Sequence, residues 1–224
     1  AFAHCASLLS ITIPDGVTSI GDSAFSYCES LMSATIGNGV TSMGRSVFTG
    51  CSSLVSVTIP AGITSIGNFT FSGCESLTSV TIPDSVKSIG KSAFSGCASL
   101  TSVMIPNGVT SIGDSVFSGC VGLTSVTIGS GVTIIGEYAF NNCENLKNIY
   151  YSGNVEDWVR ISFYDMDYCP IFHDVNLYFN DKLVTDLVIP EGVTSIGCLA
   201  FAGCTSLTSV TIPDSVTSIG ASAF

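Results

Sequence analysis

One interval governs this chain. Cys5, Cys28, Cys51, Cys74, Cys97, Cys120 and Cys143 each follow the last by 23 residues. A phenylalanine stands three residues before each of them: Phe2, Phe25, Phe48, Phe71, Phe94, Phe117 and Phe140. A fixed period of this length marks a solenoid, in which each unit buries its apolar face against its neighbours. A stack of near-identical coils is first a surface and only rarely an active site.

One unit shows how a coil is made. Val80-Thr81-Ile82 alternates apolar, polar, apolar, which is strand periodicity. Pro83 ends that strand, because proline cannot donate to a sheet ladder. Asp84-Ser85 is turn chemistry. Val86 and Ile89 turn inward again on a second short extended segment. Gly90 then permits a sharp bend, and Lys91 to Gly96 reads as one helical turn carrying Ala93 and Phe94 into the core. Stacked in parallel, successive strands would lie ~4.8 Å apart.

Composition excludes several classes. The chain is 46% hydrophobic and only 10% charged, too apolar for disorder. No apolar run approaches the roughly 20 residues of a membrane helix. A net charge of −11 with six Lys and Arg argues against nucleic acid and against anionic membrane surfaces. The chain begins Ala1-Phe2 and ends Ala223-Phe224, the same point of the repeat. The expectation is a segment of something longer, with further repeats beyond it or end-to-end self-association of the cut coils.

The pattern L-x-x-V-T-I-P-x-x-V-T-S-I-G-x-x-A-F-x-x-C, over residues 1–146 and about 184–224, resembles the BspA-like leucine-rich repeat family. The resemblance implies a curved right-handed leucine-rich-repeat solenoid of stacked 23-residue coils, with a parallel β-sheet on its concave face. It also implies a cell-surface or secreted protein of a host-associated microbe, adhering to host or neighbouring-cell proteins. Ala34 in place of the strand valine, Gly37 and Gly129 in place of the proline, and Met43 in place of isoleucine depart from the pattern and leave its character intact.

The cysteine register breaks once, between Cys143 and Cys204, which lie 61 residues apart. We divide the chain into regular repeats at 1–146, an α/β insertion at 147–183 and resumed repeats at 184–224. Ser152 to Phe163 reads as a short helix after a Gly-Asn turn. Val175 to Phe179 reads as a strand, and Asn180-Asp181-Lys182 as a hairpin turn into the strand that restarts the frame. The only Trp, five of the seven Tyr and eight of the 17 acids fall within 147–191. Such a shift marks either a functional loop or an elongated coil whose aromatics pack on the solenoid. Inserts resembling Ile149 to Trp158 are common in the family, which favours packing for that stretch.

Catalytic motifs are absent. Neither His4 nor His173 has the spacing of a zinc site, and no nucleophile elbow, phosphate loop or dinucleotide fingerprint occurs. The chain reads as a non-enzyme with no cofactor or metal. The cysteine ladder reads as small buried apolar groups with free thiols. Cys169 and Cys198 leave that register, and a disulfide between them would pin the insertion. Asp165 and Asp167, with Asp174 nearby, could offer oxygens to Ca²⁺ but lack the glycine and closing glutamate of an EF-hand, so they read as a solvated loop. Asn68-Phe69-Thr70 fits the glycosylation pattern.

Two tracks of exposed strand positions remain. One runs from Ser10 through Ser33, Ser56, Ser79, Ser102 and Ser125 to Asn148, then Asp186 and Ser209. The other runs from Thr12 through Thr35, Thr58, Thr81, Met104 and Thr127 to Tyr150, then Val188 and Thr211. Hydroxyl rows sustain a sheet, so much of this is upkeep. The variation gathers at Met104, Asn148, Tyr150, Asp186 and Val188, the candidate ligand-binding residues. The leading function is adhesion to a host extracellular-matrix or other cell-surface protein through the concave face and the insertion. The alternatives are a rigid spacer displaying another domain and a carbohydrate-binding module.

Overall fold

The computed structural model describes residues 1–163 and 174–224. The chain winds as a parallel β-solenoid of about nine coils of some 23 residues. Each regular coil contributes a strand to a first ladder and a two-residue strand to a second. In the first ladder Ser10–Ile13, Ser33–Ile36, Ser56–Thr58 and Ser79–Thr81 pair in parallel, with Ser10 opposite Ser33 and Ser56 opposite Ser79. Ser102–Ile105 starts the next sheet and pairs with Ser125–Ile128. In the second ladder Ser65–Ile66, Ser88–Ile89, Ser111–Ile112 and Ile134–Ile135 stack in the same way. Period and register agree because each residue meets its own equivalent one coil away.

The third side of the coil is not the helical turn expected at Lys91 to Gly96. Ser92 has φ 52° and Gly96 φ 73°, both left-handed, so no right-handed helix can run through them. The backbone instead alternates its donors. Ala93, Ser95 and Cys97 donate back to Gly90, Ser92 and Phe94, three residues earlier. Ser92, Phe94 and Gly96 donate forward to Asp114, Val116 and Ser118 of the next coil at 2.7–2.9 Å. The left-handed residues aim every second N–H along the solenoid axis, making a third ladder out of turns. Ser23, Ser46, Phe69, Ser115, Tyr138 and Ser222 share the conformation of Ser92.

Gly90 also works differently from expectation. Its φ is not left-handed, but a Cβ there would stand 2.8 Å from the Asn68 backbone nitrogen. Glycine lets adjacent coils touch at this point rather than bending the chain.

The core is a set of columns. Successive phenylalanines from Phe2 to Phe140 stack with ring centroids 5.3–5.7 Å apart and planes within 20°. The offset stack is the favoured aromatic geometry. Leu77, Val86, Ala93, Phe94 and Cys97 are fully buried in one unit, and Ile82 and Ile89 almost so. The cysteines from Cys28 to Cys143 carry free thiols in this interior.

Beyond Cys143 the winding changes pitch. Asn148–Tyr151 pairs with Asn176–Phe179, a step of 28 residues. Ser162–Phe163 pairs with Ile134–Ile135. A one-turn helix, Val155–Trp158, lies between, its first turn capped by Asn154 Oδ1 accepting the Asp157 N–H at 2.9 Å. The longer coil encloses more space, which Trp158 fills edge-on against Tyr151, Phe163 and Phe179. Asn176–Phe179 then folds back on Lys182–Leu183 as an antiparallel hairpin, with Asn180 and Asp181 at φ 49° and 60°. Two left-handed central residues are what a tight hairpin turn requires. The hairpin strand ends its sheet. Asp186–Val188 belongs to a separate two-stranded sheet with Ser209–Thr211.

Candidate functional site

The exposed face of the first ladder is built by alternation. In Asn148-Ile149-Tyr150-Tyr151 the second and fourth residues are buried, leaving Asn148 and Tyr150 outward. The next strand repeats the formula as Asn176-Leu177-Tyr178-Phe179, in register one coil on. Asn148 therefore meets Asn176, and Tyr150 meets Tyr178. The Asn176 Nδ2 donates to Asn148 Oδ1 at 3.2 Å, and the Tyr178 hydroxyl donates to the same oxygen at 3.4 Å. The two tyrosine rings stack with centroids 4.6 Å apart at 22°.

Register extends this row across the sheet. Met104 lies opposite Thr127, Thr127 opposite Tyr150, Tyr150 opposite Tyr178, and Tyr178 opposite Leu183 of the hairpin. Met104 is 66% exposed and Leu183 41%. Three of the residues singled out from sequence, Met104, Asn148 and Tyr150, thus share one sheet. Asp186 and Val188 do not. They sit on the separate sheet past the hairpin, with Val188 61% exposed. Asp186 accepts the Ser209 hydroxyl at 2.6 Å and the Thr185 hydroxyl at 3.0 Å. Those hydroxyls, Ser209 first, hold its carboxyl below the ordinary carboxylate value.

Sequence reasoning missed Asn176, Tyr178 and Leu183. The repeat of N-apolar-Y-aromatic at 148–151 and 176–179 was the available signal. Its spacing of 28 residues is out of step with the 23-residue frame.

Other candidate positions resolve into structure. Of the first track, the Ser209 hydroxyl is taken up by Asp186 one coil back. The Asn68 Oδ1 accepts the Lys91 N–H at 3.0 Å, while Thr70 is fully buried and donates to the Gly67 carbonyl. His4 is exposed and stacks on Tyr27 at 5.1 Å. Cys198 is half-buried with a free thiol, whereas Cys169 lies outside the described residues, as do His173, Asp165 and Asp167. Among the described residues no group of three or more His, Cys, Asp or Glu side chains is placed to hold a metal ion. A cleft of about 360 Å³ opens where Val159 to Phe163 face Ser195, Gly197 and Cys198.

Parallel coils with a leucine at nearly every strand entry, Val184 being an exception, and a ladder of outward polar side chains define a leucine-rich repeat protein. Residues 1–87, 64–171 and 175–224 match the family described as BspA type Leucine rich repeat region, in six copies, and the chain belongs to that family. Among solved structures it is similar to a leucine-rich repeat protein from Eubacterium ventriosum, with 20% identity over 100% of this chain and 77% of that one, at a TM-score of 0.55. It is similar to the T. pallidum leucine-rich repeat protein, with 23% identity over 95% of this chain and 73% of that one, at 0.50. A leucine-rich cell surface protein from Faecalibacterium prausnitzii is 30% identical over 96% of this chain and 79% of its own, at 0.46. No curated protein matches the chain. Among the described residues, no helix is long and apolar enough to cross a membrane.

Proposed function

We propose that this chain is a non-enzymatic adhesion module, secreted or held at the surface of a host-associated microbe. It grips a host matrix protein or another cell-surface protein with the exposed strand face around Met104, Asn148, Tyr150, Asp186 and Val188. Membership of the BspA-type family supports the class and the location. The observation that carries the site is the stacked Tyr150–Tyr178 pair beside the bonded Asn148–Asn176 pair. Elsewhere the face is mostly serine and threonine. Here it gains rigid aromatic area with polar tips, which interfaces favour. Each ring covers one face of the other, and Thr127 and Leu183 stand opposite them on the two outer sides in register. That geometry suits a protein surface better than the flat face of a sugar.

The test is a binding screen of the folded chain against extracellular-matrix proteins and glycans, beside Tyr150→Ala/Tyr178→Ala and Asp186→Ala variants. A protein hit weakened about tenfold or more by the tyrosine variant, or ~1.4 kcal/mol, supports the reading. A hit indifferent to both variants moves the site elsewhere. A folded chain that binds nothing favours a rigid spacer, and a glycan hit favours the carbohydrate-binding alternative.

A further inference from the structure

The hairpin at residues 176–183 introduces a step into a structure that otherwise repeats. On the first ladder, Asn148–Tyr151 is followed by Asn176–Phe179 and its antiparallel return, and only then by Asp186–Val188. On the second ladder, Ser162–Phe163 is followed by Ser195–Ile196, in a different sheet. The strand side therefore gains a hairpin that the second ladder does not match. At this step both strand ladders stop and restart.

The links across the step differ from those of a regular coil boundary. Every other coil boundary keeps pairing in at least one strand ladder: Ser79–Thr81 and Ser102–Ile105 lie in different sheets, but Ser88–Ile89 pairs with Ser111–Ile112 there, and Ser42–Met43 and Ser65–Ile66 lie in different sheets, but Ser33–Ile36 pairs with Ser56–Thr58 there. Across the step, described bonds run from Gly197 N–H to the Val159 carbonyl and from Val175 N–H to the Gly203 carbonyl, both at 3.1 Å. Another described link is a side chain. Trp158 Nε1–H donates to the Ala200 carbonyl at 2.7 Å, 42 residues along the chain. Trp158 is fully buried, so a donor lost here would leave a buried carbonyl without that partner. Beside it runs the cleft between Val159 to Phe163 and Ser195 to Cys198.

We infer that the step is the yielding joint of the solenoid, and that Trp158 is the pin that closes it. In a repeat protein, stability is a sum of coil terms and neighbour interfaces. An interface without pairing in either strand ladder opens at lower free energy than neighbours that keep one or both. The joint also has a place in recognition. Tyr150 and Tyr178 lie on one side of it and Asp186 and Val188 on the other, so its opening changes the separation of the two halves of the exposed face. That last consequence rests on the proposed binding face. The joint itself does not.

The experiment uses the whole chain and its only tryptophan. Native-state hydrogen exchange would compare peptides from 147–163 with peptides from 80–128, away from both ends. The expected result is protection about tenfold or more lower at 147–163. Denaturant titration followed by Trp158 emission should show its red shift before the far-ultraviolet signal of the coils falls. Trp158→Phe keeps an aromatic filler and removes the donor. It should lower protection at 147–163 and 195–200 further, while leaving 80–128 unchanged. Equal protection in the two regions with coincident transitions would overturn the joint. Normal exchange at 147–163 and 195–200 in Trp158→Phe would overturn the pin. Because exchange is read without a partner, failure of the joint is distinguishable from failure of the adhesion reading.

Discussion

The thiol of Cys97 donates to the carbonyl of Phe71 in the preceding coil at 3.3 Å, and that carbonyl also receives the N–H of Cys74 at 3.2 Å. The arrangement recurs at every described thiol from Cys28 to Cys143, with Sγ to oxygen distances of 3.1–3.3 Å. The period-23 cysteine is therefore a small buried group that also ties a carbonyl across the coil boundary. Cys97→Ala removes both the sulfur volume and the bond. We expect a loss of about 1–2 kcal/mol in urea unfolding, with the m-value unchanged. An unchanged midpoint would reduce the cysteine to a spacer.

Burial first, and then the neighbouring thiol, pushes these groups up. Cys51 moves from the ordinary 9.0 to about 12, and Cys74 and Cys97 lie well above the ordinary value. The folded chain keeps protons that the unfolded chain releases above pH 9. Stability is thus complete below pH 9 and falls as pH rises toward 12, by at most about 1.4 kcal/mol per pH unit for each such thiol. Tyr151, raised to about 12 chiefly by burial, adds to the loss above pH 10. Urea midpoints from pH 7 to 11 should show a steep alkaline decline that is shallower in Cys97→Ala. A flat profile would contradict it.

Two kinds of glycine should respond differently to a methyl group. Gly96 has φ 73°, and a Cβ there would meet nothing closer than 3.6 Å, so Gly96→Ala carries backbone strain alone, about 1–2 kcal/mol. Gly113 has no left-handed φ, but its Cβ would stand 2.8 Å from the Lys91 nitrogen. Gly113→Ala forces two coils apart and should cost more than Gly96→Ala. Thermal melts of the two variants would decide the order.

Phe94→Ala removes one ring from the stack and should destabilise by about 3–5 kcal/mol. The damage should stay near coils 71–117 in hydrogen exchange, since each coil touches only its neighbours. Equal loss of protection along the whole chain would mean one cooperative core instead.

The strands, their register and the buried columns were legible because they repeat. Val86 and Ile89 needed only the alternation of apolar residues to be placed inward, and the stack of Phe94 on Phe71 needed only the interval. The turn through Ser92 was not legible. Its left-handed backbone is imposed by bonding to Asp114 in the next coil, and serine has no propensity that announces it. The face around Tyr150 was half legible. The outward direction of Tyr150 followed from alternation, but its partner Tyr178 sits 28 residues on, at a spacing the 23-residue frame does not contain. The helix at 155–158 and the hairpin at 180–182 carried their own local signals, Asn154 and Asn180-Asp181.

The third ladder, in which Ser92, Phe94 and Gly96 donate to the residues 22 further on, has a consequence for how such a chain can change over generations. Every donor finds its acceptor one coil ahead, so adding or removing a whole unit leaves each bond with an equivalent partner. Duplication and loss of units are therefore tolerated wherever both cuts fall at the same point of the coil. An insertion of any other length has no such freedom. The chain around Trp158 shows what accommodating one takes: aromatic filler, a helix cap and a hairpin. Copy number is free to vary in this architecture, while pitch is not.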